Sequence, residues 1–459
     1  MAELYKRSLF IFRRDLRVED NTALNLAINS SDEVVPCFIF DPRLADEKRE
    51  HFNYNAFQFL LECLDDLKEQ LQSKGGSLFL FSGLPEDVIL DLKNELDIDS
   101  VFFNRDYTPF SRKRDDGIER TCSAANIELI TCHDALLHEP GTVLTNEGKP
   151  YKVFSQFFKK ASQREITLPV MLEGGSFYSG KVDVEQSVLS NISMLVNVSI
   201  FTKGGRSHAL SILQNIGNFK NYDDERNYPS INGTTGLSAH NKLGTISIRE
   251  FYHYVRDELG SGHTLINELH WRDFFTHIAV AFPYVFTNAF KGKFDDLSWS
   301  DDKELFDKWC SGQTGFPIID AGMRELNTTG YMHNRVRMIV ASFLVKDLHI
   351  DWKWGERYFA SKLVDYDPCV NNGNWQWAAS TGADSQPYFR IFNPWTQQKR
   401  FDHDCSYIKE WIPELRDIDQ KTIHSLEKGN QVPGIDYPQP VVEHSQERNA
   451  ALSMFKAMG

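Results

Sequence analysis

The stretch DYDPCVNNGNWQWAASTGADSQPYFRIFNP, residues 365–394, is the part of the chain that is most informative about its fold. It places carboxylates and a run of amides beside Trp375 and Trp377, and it sets Arg390 among aromatic residues. Such a segment is too polar for plain core and too rich in large aromatic side chains for a solvent loop. It is typical of a wall around a flat ligand, with aromatic faces over the ring and polar groups at its edge. The alternative is a polar turn between two amphipathic helices that contains two tryptophans.

Length and composition indicate a globular protein with two domains. The chain has 459 residues, which is more than one hydrophobic core typically organises. Of these residues 41% are apolar and 25% charged, as in an ordinary globular protein. Its seven cysteines form no Cys-x-x-Cys pair, so we expect neither a disulfide framework nor a metal site. Because we find no signal peptide and no long apolar run, we expect no membrane contact and a cytoplasmic, nucleoid-associated monomer.

The net charge of −14 opposes binding to nucleic acid. A DNA-binding function would therefore need a local basic patch on an acidic body, with weak long-range attraction.

The first third of the chain alternates short apolar runs with helical patterns. This alternation predicts an α/β domain over residues 1–135, with a doubly wound parallel sheet between two layers of helices. Neither Gly-x-Gly-x-x-Gly nor Gly-Lys-Ser/Thr follows the strands, so an ordinary dinucleotide or P-loop site is not indicated. The predicted strands are 8–12, 34–40, 78–81, 101–103 and 127–130, and the clearest helix is 54–73.

Residues 136–200 lose this periodicity among glycines and prolines, which predicts a long inter-domain linker. Within it, residues 149–160 are basic and aromatic, which suits either the border of a nucleic-acid groove or a solvated turn. From residue 201 to 459 the helical period dominates, most clearly over 332–348. After residue 394 we expect a proline-containing coil and a short helix near 447–458.

Two motifs carry a family resemblance. NNGNWQWAASTG at 371–382, with FRIFNP at 389–394, resembles the flavin-domain signature of the photolyase/cryptochrome family, and is most similar to class I and archaeal-type photolyases of cyclobutane pyrimidine dimers. RRDLRVEDN at 13–21 resembles the opening of that family's antenna domain. The resemblance implies a Rossmann-like antenna domain over 1–135 and an all-α FAD-binding domain over 201–459.

The implied cofactor is reduced FAD in a bent conformation. Small and hydroxyl residues at 233–238 precede a predicted helix and suit a pyrophosphate cradle, although alone they also suit a plain turn. Thr235 and Gly236 stand where the family often has serine and a basic residue, so one phosphate contact is in doubt. The resemblance implies cofactor contacts from Tyr222, Thr234, Thr235, Leu237, Ser238, Glu268, Arg272, Asn334, Arg337, Asp365, Asp367 and Asn371.

The motif NELHWRDFF at 267–275 is helical by pattern and resembles the family segment that contacts the lesion. An amphipathic helix with an ion pair is the simpler interpretation of the same residues. We expect burial to raise the pKa of Glu268, which would let its carboxyl donate a hydrogen bond to a thymine carbonyl. The residues implied to take part in catalysis are Glu268, Asn334, Met338 and Asn371.

A second matching segment, 315–338, ends in cations at the start of a predicted helix, where the helix dipole disfavours them. We therefore expect a carboxylate or anionic partner, and the resemblance implies an ion pair between Arg337 and Asp365. The resemblance further implies that the flipped dimer and the DNA phosphates are contacted by Trp271, Trp377, Arg335 and Arg390.

Three tryptophans match the family's electron-transfer chain from flavin to surface. They are Trp375, Trp352 and Trp299, and each taken singly is equally explained as core. Trp309 and Trp354 offer a parallel branch.

The antenna chromophore is less determined. Folate-binding relatives carry Asn-Glu where this chain has Phe110 and Ser111, which weakens the prediction of methenyltetrahydrofolate. A deazaflavin, a second flavin and an empty site are the alternatives. The function that the resemblance implies is light-driven splitting of cyclobutane pyrimidine dimers in DNA. The alternative is a blue-light receptor of the cryptochrome type that binds FAD without repair, and a metabolic flavin oxidoreductase is a third possibility that lacks its nicotinamide fingerprint.

Overall fold

A five-stranded parallel sheet forms the N-terminal part of the molecule. The computed structural model describes residues 5–49, 52–184, 196–428 and 434–458. The sheet has the strand order β3-β2-β1-β4-β5, so both the parallel sheet and its five strands are confirmed, with ends that differ from prediction by up to three residues. The strands are β1 (Tyr5–Phe12), β2 (Ser31–Phe40), β3 (Phe79–Ser82), β4 (Ser100–Asn104) and β5 (Glu128–Cys132).

Helices cover both faces of this sheet, which confirms the doubly wound architecture. Alternate residues of β1 enter different cores: Phe10 packs with Phe59 on one face, and Leu9 packs with Ile118 on the other. Both faces of the central strands are thus buried, which explains their uninterrupted apolar runs. The helices of this part are α1 (Thr22–Ser30), α2 (Pro42–Ala45), α3 (Tyr54–Ser73), α4 (Pro85–Leu96) and α5 (Pro109–Ala124).

The predicted linker contains a helix, α6 (Phe154–Ala161), so its basic-aromatic segment is not the solvated turn that we considered. Phe157 of α6 is buried against Phe274, with ring centroids 5.6 Å apart. This packing attaches the linker to the helical domain.

The C-terminal part is helical. In the segment from residue 206 onward that the structure describes, the α-helices are α7 (Arg206–Gln214), α8 (Tyr222–Glu225), α9 (Ser238–Leu243), α10 (Ile248–Leu259), α11 (Thr264–Ala281), α12 (Lys303–Ser311), α13 (Pro317–Thr329), α14 (Asn334–Lys346), α15 (Trp352–Lys362), α16 (Pro368–Ala378), α17 (Pro394–Phe401), α18 (Ser406–Trp411), α19 (Gln420–Ser425) and α20 (His444–Lys456).

The coil predicted after residue 394 is wrong, because α17, α18 and α19 occupy much of it. Proline misled the prediction: Pro394 is the first residue of α17, where its missing N–H costs no hydrogen bond, and the Asn393 side chain caps the helix. Residues 429–433, which belong to the same predicted coil, lie outside the described residues. We keep residues 135 and 200 as predicted domain limits.

The two halves pack closely at the carboxyl end of β1. Leu16 N donates to Leu243 O at 2.9 Å. Gly244 has a φ of +62°, and a Cβ there would lie 2.2 Å from the carbonyl oxygen of Arg14, so glycine is required by both conformation and space. The loop after β1 therefore lies directly against the helical domain. Over the described residues we find no helix that is both long enough and apolar enough to cross a membrane.

Candidate active site

A cavity of about 520 Å³ opens in the helical domain between the loop after α8 and helices α9, α11, α14 and α16. Every predicted cofactor contact lines it, and so do most of the predicted lesion and DNA contacts. Of the predicted site residues, the cavity wall includes Tyr222, Thr234, Thr235, Leu237, Ser238, Glu268, Trp271, Arg272, Asn334, Arg335, Arg337, Met338, Asp365, Asp367, Asn371, Trp375 and Trp377.

An ionic group at one side of the cavity centres on Asp365. Arg337 Nη2 lies 2.9 Å from Asp365 Oδ2, and Ser238 Oγ donates to the same oxygen at 2.6 Å. The predicted Arg337–Asp365 pair is confirmed. Burial opposes the charge on Arg337, but Asp365 and Tyr331 outweigh it and raise the pKa of this arginine. The carboxylate thus accounts for a cation in the first turn of α14.

Asp367 lies two residues further on and begins α16. Its Oδ1 accepts hydrogen bonds from the backbone N–H groups of Cys369 and Val370, at 3.0 and 3.2 Å. Its Oδ2 is paired with Arg14, which comes from the loop after β1. Burial opposes ionisation of Asp367, but Arg14, then Lys242, hold the pKa of this carboxyl below its usual range.

Glu268 on α11 faces Arg226, and the two form an ion pair. The Glu268 side chain is 39% exposed in this pair. Burial raises the pKa of Glu268 against the opposing effect of Arg226, which confirms the predicted direction. We did not predict Arg226, although it follows Tyr222 by four residues and lies over its ring, 5.6 Å from the centroid.

Aromatic rings form the other side of the cavity. Trp271 is stacked between Phe154 of the linker helix, at 3.6 Å between ring centroids and 8° between planes, and Phe275, at 5.4 Å and 29°. Trp377 lines the same cavity. The contact with Phe154 was not predicted, because nothing in the spacing of linker residues indicates where the linker crosses the helical domain.

Asn371 is oriented by α15. Its Nδ2 donates to the carbonyl oxygen and to Oε1 of Glu356, at 3.3 and 3.0 Å. The amide N–H group is therefore engaged, and Oδ1 is left as the acceptor. Nearby, Asn334 Nδ2 and Met338 Sδ lie 4.0 Å apart on α14.

The buried Trp375 touches the aromatic core behind the cavity. Its ring centroid lies 5.0 Å from Phe359 and 6.2 Å from Trp309. From Trp309 the ring contacts continue through Phe306, at 5.8 Å, to Trp354, a further 5.1 Å. The structure thus places Trp309, the first residue of the parallel Trp309–Trp354 branch, in direct contact with Trp375.

Three predicted site residues lie outside the cavity wall. Trp352 is buried, Trp299 contacts Phe455 of α20 at 6.2 Å between centroids, and Arg390 lies in the segment before α17. Their roles stay predictions.

The cavity fits a ligand that carries hydrogen-bond donors. Asp365 Oδ1 and Asn241 Oδ1 are buried and have no hydrogen-bond partner among the described residues, and both residues line the cavity. Buried acceptors of this kind need a donor. The adenine and isoalloxazine rings of FAD both carry N–H groups, so the residues present fit this cofactor. No cluster of metal-ligating side chains occurs within the described ranges.

Comparison with known proteins gives matches in both halves of the chain. Residues 8–171 match the family model of DNA photolyase, and residues 265–457 match the model of the FAD binding domain of DNA photolyase. The deoxyribodipyrimidine photo-lyase of Alkalihalophilus pseudofirmus is 38% identical over 97% of this chain and 97% of that protein.

Solved structures of similar proteins share the whole architecture. An archaeal photolyase from Sulfolobus tokodaii with two FAD molecules is 42% identical, with a TM-score of 0.89 over 98% of this chain and all of the other. A cryptochrome from Synechocystis has the same TM-score at 29% identity, covering 99% of this chain and 100% of its own. With both family models matched and relatives aligned along almost its entire length, the chain belongs to the DNA photolyase family.

Proposed function

We propose that this protein is a deoxyribodipyrimidine photo-lyase that uses light to split cyclobutane pyrimidine dimers in DNA. The observation that carries the proposal is the two-sided cavity, with the Arg337–Asp365 ion pair on one side and the aromatic wall of Trp271 and Trp377 on the other. The names of the curated relatives agree with it. Reduced FAD, when held by residues such as Arg337, Asp365 and Asn371, would supply the photoexcited electron with which the two inter-base bonds of the dimer are split, and would receive that electron back.

The proposed FAD site uses hydrogen-bonding groups from three parts of the chain. The hydroxyls of Thr234 and Thr235 suit a pyrophosphate, and the unpartnered oxygens of Asp365 and Asn241 suit donors on the rings. Arg337, held by Asp365, supplies positive charge that favours an anionic reduced flavin.

Asn371 suits the reduced state in particular. Because its N–H group is directed at Glu356, its carbonyl oxygen can accept a hydrogen bond from the N5–H that a reduced flavin carries. A neutral amide does not exchange a proton with N5, so we propose that Asn371 favours a persistent reduced flavin, as repair requires.

We propose that the dimer enters the cavity by flipping out of the duplex, with Trp377 and the edge of the stacked Trp271 ring against its two sides. Extrusion of a lesion costs less free energy than extrusion of intact paired bases. Glu268 borders this space beside Arg226, and burial raises the pKa of its carboxyl. In its protonated form this carboxyl donates a hydrogen bond to a thymine carbonyl, which favours the transient negative charge there. Asn334 and Met338 border the same space from α14.

A group of arginines supports DNA binding despite the acidic total charge. Arg335 lies over the Phe401 ring at 4.5 Å and donates to Asn227. Burial first, then repulsion from Arg226 and Arg400, lowers the pKa of Arg335. Like charges held this close favour an anion, and DNA phosphate is the proposed one. Arg390 remains a proposed phosphate contact outside the cavity, and the DNA substrate favours a nucleoid-associated location.

We propose that the N-terminal domain holds a second chromophore, and that a second flavin is the best candidate. The support is the Sulfolobus tokodaii photolyase, whose structure contains two FAD molecules at 42% identity. Phe110 and Ser111 stand where folate-binding relatives carry Asn-Glu, so the folate contacts that this pair supplies are missing from this chain.

One experiment tests the main proposal. The reduced, FAD-loaded protein is illuminated with an oligonucleotide that contains one cyclobutane dimer, and recovery of thymine absorbance is followed. We expect recovery in the wild type, loss in a Glu268→Ala/Trp271→Ala variant, and recovery in Arg256→Ala, a control residue of α10 that is outside the cavity wall. Full flavin occupancy without recovery would contradict repair and favour the receptor alternative.

A further inference from the structure

Arg14 is a buried link between the two domains. It lies in the loop after β1, and its three donor groups bond to three different residues: Nη1 to Asp106 Oδ1 at 2.8 Å, Nε to Lys242 O at 3.0 Å, and Nη2 to Asp367. Only 16% of its side chain is exposed. A guanidinium with every nitrogen engaged has one fixed position.

The position of Arg14 is also fixed by the backbone around it. The Gly244 Cα approaches the Arg14 carbonyl so closely that no larger residue fits, and Arg17 Nη1 donates to Gly244 O at 3.0 Å. Arg272, a residue of the helical domain that lines the cavity, extends towards the N-terminal domain, where its Nη1 donates to Ala135 O at 2.5 Å. The loop after β1 thus cannot move without disturbing the cavity wall.

Asp367 is the residue through which Arg14 meets the cavity. Asp367 lines the cavity, whereas Arg14 lies behind it and does not. Both Oδ1 bonds of Asp367 go to backbone N–H groups of α16, so Oδ2 has Arg14 as its charged partner. Arg14, together with Lys242, therefore favours the charge of this carboxylate, and through the direct bond Arg14 also sets its direction.

We propose that Arg14 is a positioning residue for the flavin: through Asp367 it sets the electrostatic potential in the cavity and hence the ease of flavin reduction. The inference rests on the proposed FAD site in the helical domain. Arg14 offsets the negative charge of Asp367, and Asp106, on the far side of Arg14, partly offsets Arg14. The two carboxylates therefore disfavour an anionic reduced flavin, and Arg14, which lies between them, favours it.

The sign difference gives a test that a purely structural role would not pass. The midpoint potential and visible absorption spectrum of bound FAD are measured in Arg14→Gln, Arg14→Lys and Asp106→Asn. We expect a lower potential in Arg14→Gln, where a positive charge is lost, a value near the wild type in Arg14→Lys, and a higher potential in Asp106→Asn, where a negative charge is lost.

Arg13→Gln is the matched control. Arg13 is the neighbouring residue, but it pairs with Asp115 at 2.8 Å and lies over Phe103 at 3.5 Å, both within the N-terminal domain. We expect no shift in potential for this variant. An unchanged potential in both Arg14→Gln and Asp106→Asn, or the same shift in Arg13→Gln, would overturn the inference.

Failure of the underlying proposal is seen separately. If the wild type binds no FAD, the proposed function is wrong; if it binds FAD and the variants do not differ from it, only the role of Arg14 is wrong. Should Arg14→Gln not fold, the higher potential expected for Asp106→Asn, set against the near-wild-type value expected for Arg14→Lys, still decides the question.

Discussion

Glu268 is the side chain on which the proposed repair step depends most directly. Its carboxyl donates a hydrogen bond only when protonated, and its pKa is raised. We therefore expect repair of bound dimers to fall as pH rises through this pKa, because the donor is lost. In Glu268→Gln the amide donates at every pH, so the profile becomes flat, while Glu268→Ala loses about tenfold, as expected for one hydrogen bond to a charged group. Equal pH slopes in the wild type and Glu268→Gln would contradict this role.

Arg335 allows a separate test of DNA binding. If it contacts one phosphate, Arg335→Ala weakens binding to damaged and undamaged duplexes alike, and the slope of log K against log salt falls by about 0.9. Arg256→Ala is again the control, because Arg256 pairs with its neighbour Asp257 away from the cavity. The measurement is a salt titration of affinity, and a normal slope in Arg335→Ala would show that no phosphate is bound there.

At the scale of elements, the aromatic contacts behind the cavity bear on how the flavin is reduced. We expect Trp375→Phe to slow photoreduction of oxidised FAD, because the first ring able to give an electron is lost, while enzyme reduced beforehand repairs normally. Comparing Trp352→Phe with Trp309→Phe then distinguishes the predicted chain from the branch in ring contact with Trp375. The readout is the rate of flavin bleaching under light. Equal loss of photoreduction and repair in Trp375→Phe would rule out an electron-transfer role.

The contact between α13 and α18 predicts a pH-dependent stability. Glu325 on α13 accepts a hydrogen bond of 2.5 Å from Tyr407 on α18, and burial raises the pKa of Glu325 from 4.5 to about 7. The folded state binds the proton more tightly than the unfolded one, so stability is full below pH about 4.5 and is lost as pH rises to about 7. The loss is on the order of 3 kcal/mol at most. Glu325→Gln should remove this slope in denaturant titrations at different pH, and an unchanged slope would show that other groups cause it.

Elements were predictable from sequence where one physical signal dominates. α3 runs over the predicted 54–73, because its apolar residues recur with the helical period along one face. Contacts such as Arg226–Glu268 and Phe154–Trp271 join segments far apart in the chain, and no local pattern encodes them. The Arg337–Asp365 pair was predicted because the family resemblance implies it; the cations at the helix start indicated only that a carboxylate or anionic partner is needed.

At the scale of the whole molecule, the periodicity of apolar residues predicts the sheet domain and the helical domain. It does not predict the contacts by which the two domains pack together. Arg14 lies in a segment that the sequence pattern assigns to the first domain, yet its partners Lys242 and Asp367 belong to the second. Nothing in the spacing of charges indicates that Arg14 and Arg17 contact the second domain, whereas Arg13 does not. The site residues could be listed from resemblance, whereas the residues that hold them in place required the three-dimensional structure.

The face-to-face stack of Phe154 on Trp271 has a practical consequence for chimeras. A hybrid that joins the helical half of this protein to the front half of a relative would bring a foreign ring, or none, against the tryptophan. Exchange of halves should thus preserve dimer recognition only when residues 149–161 are kept together with the helical domain. Lesion preference in such chimeras should therefore follow the origin of this connecting segment as well as that of the helical domain.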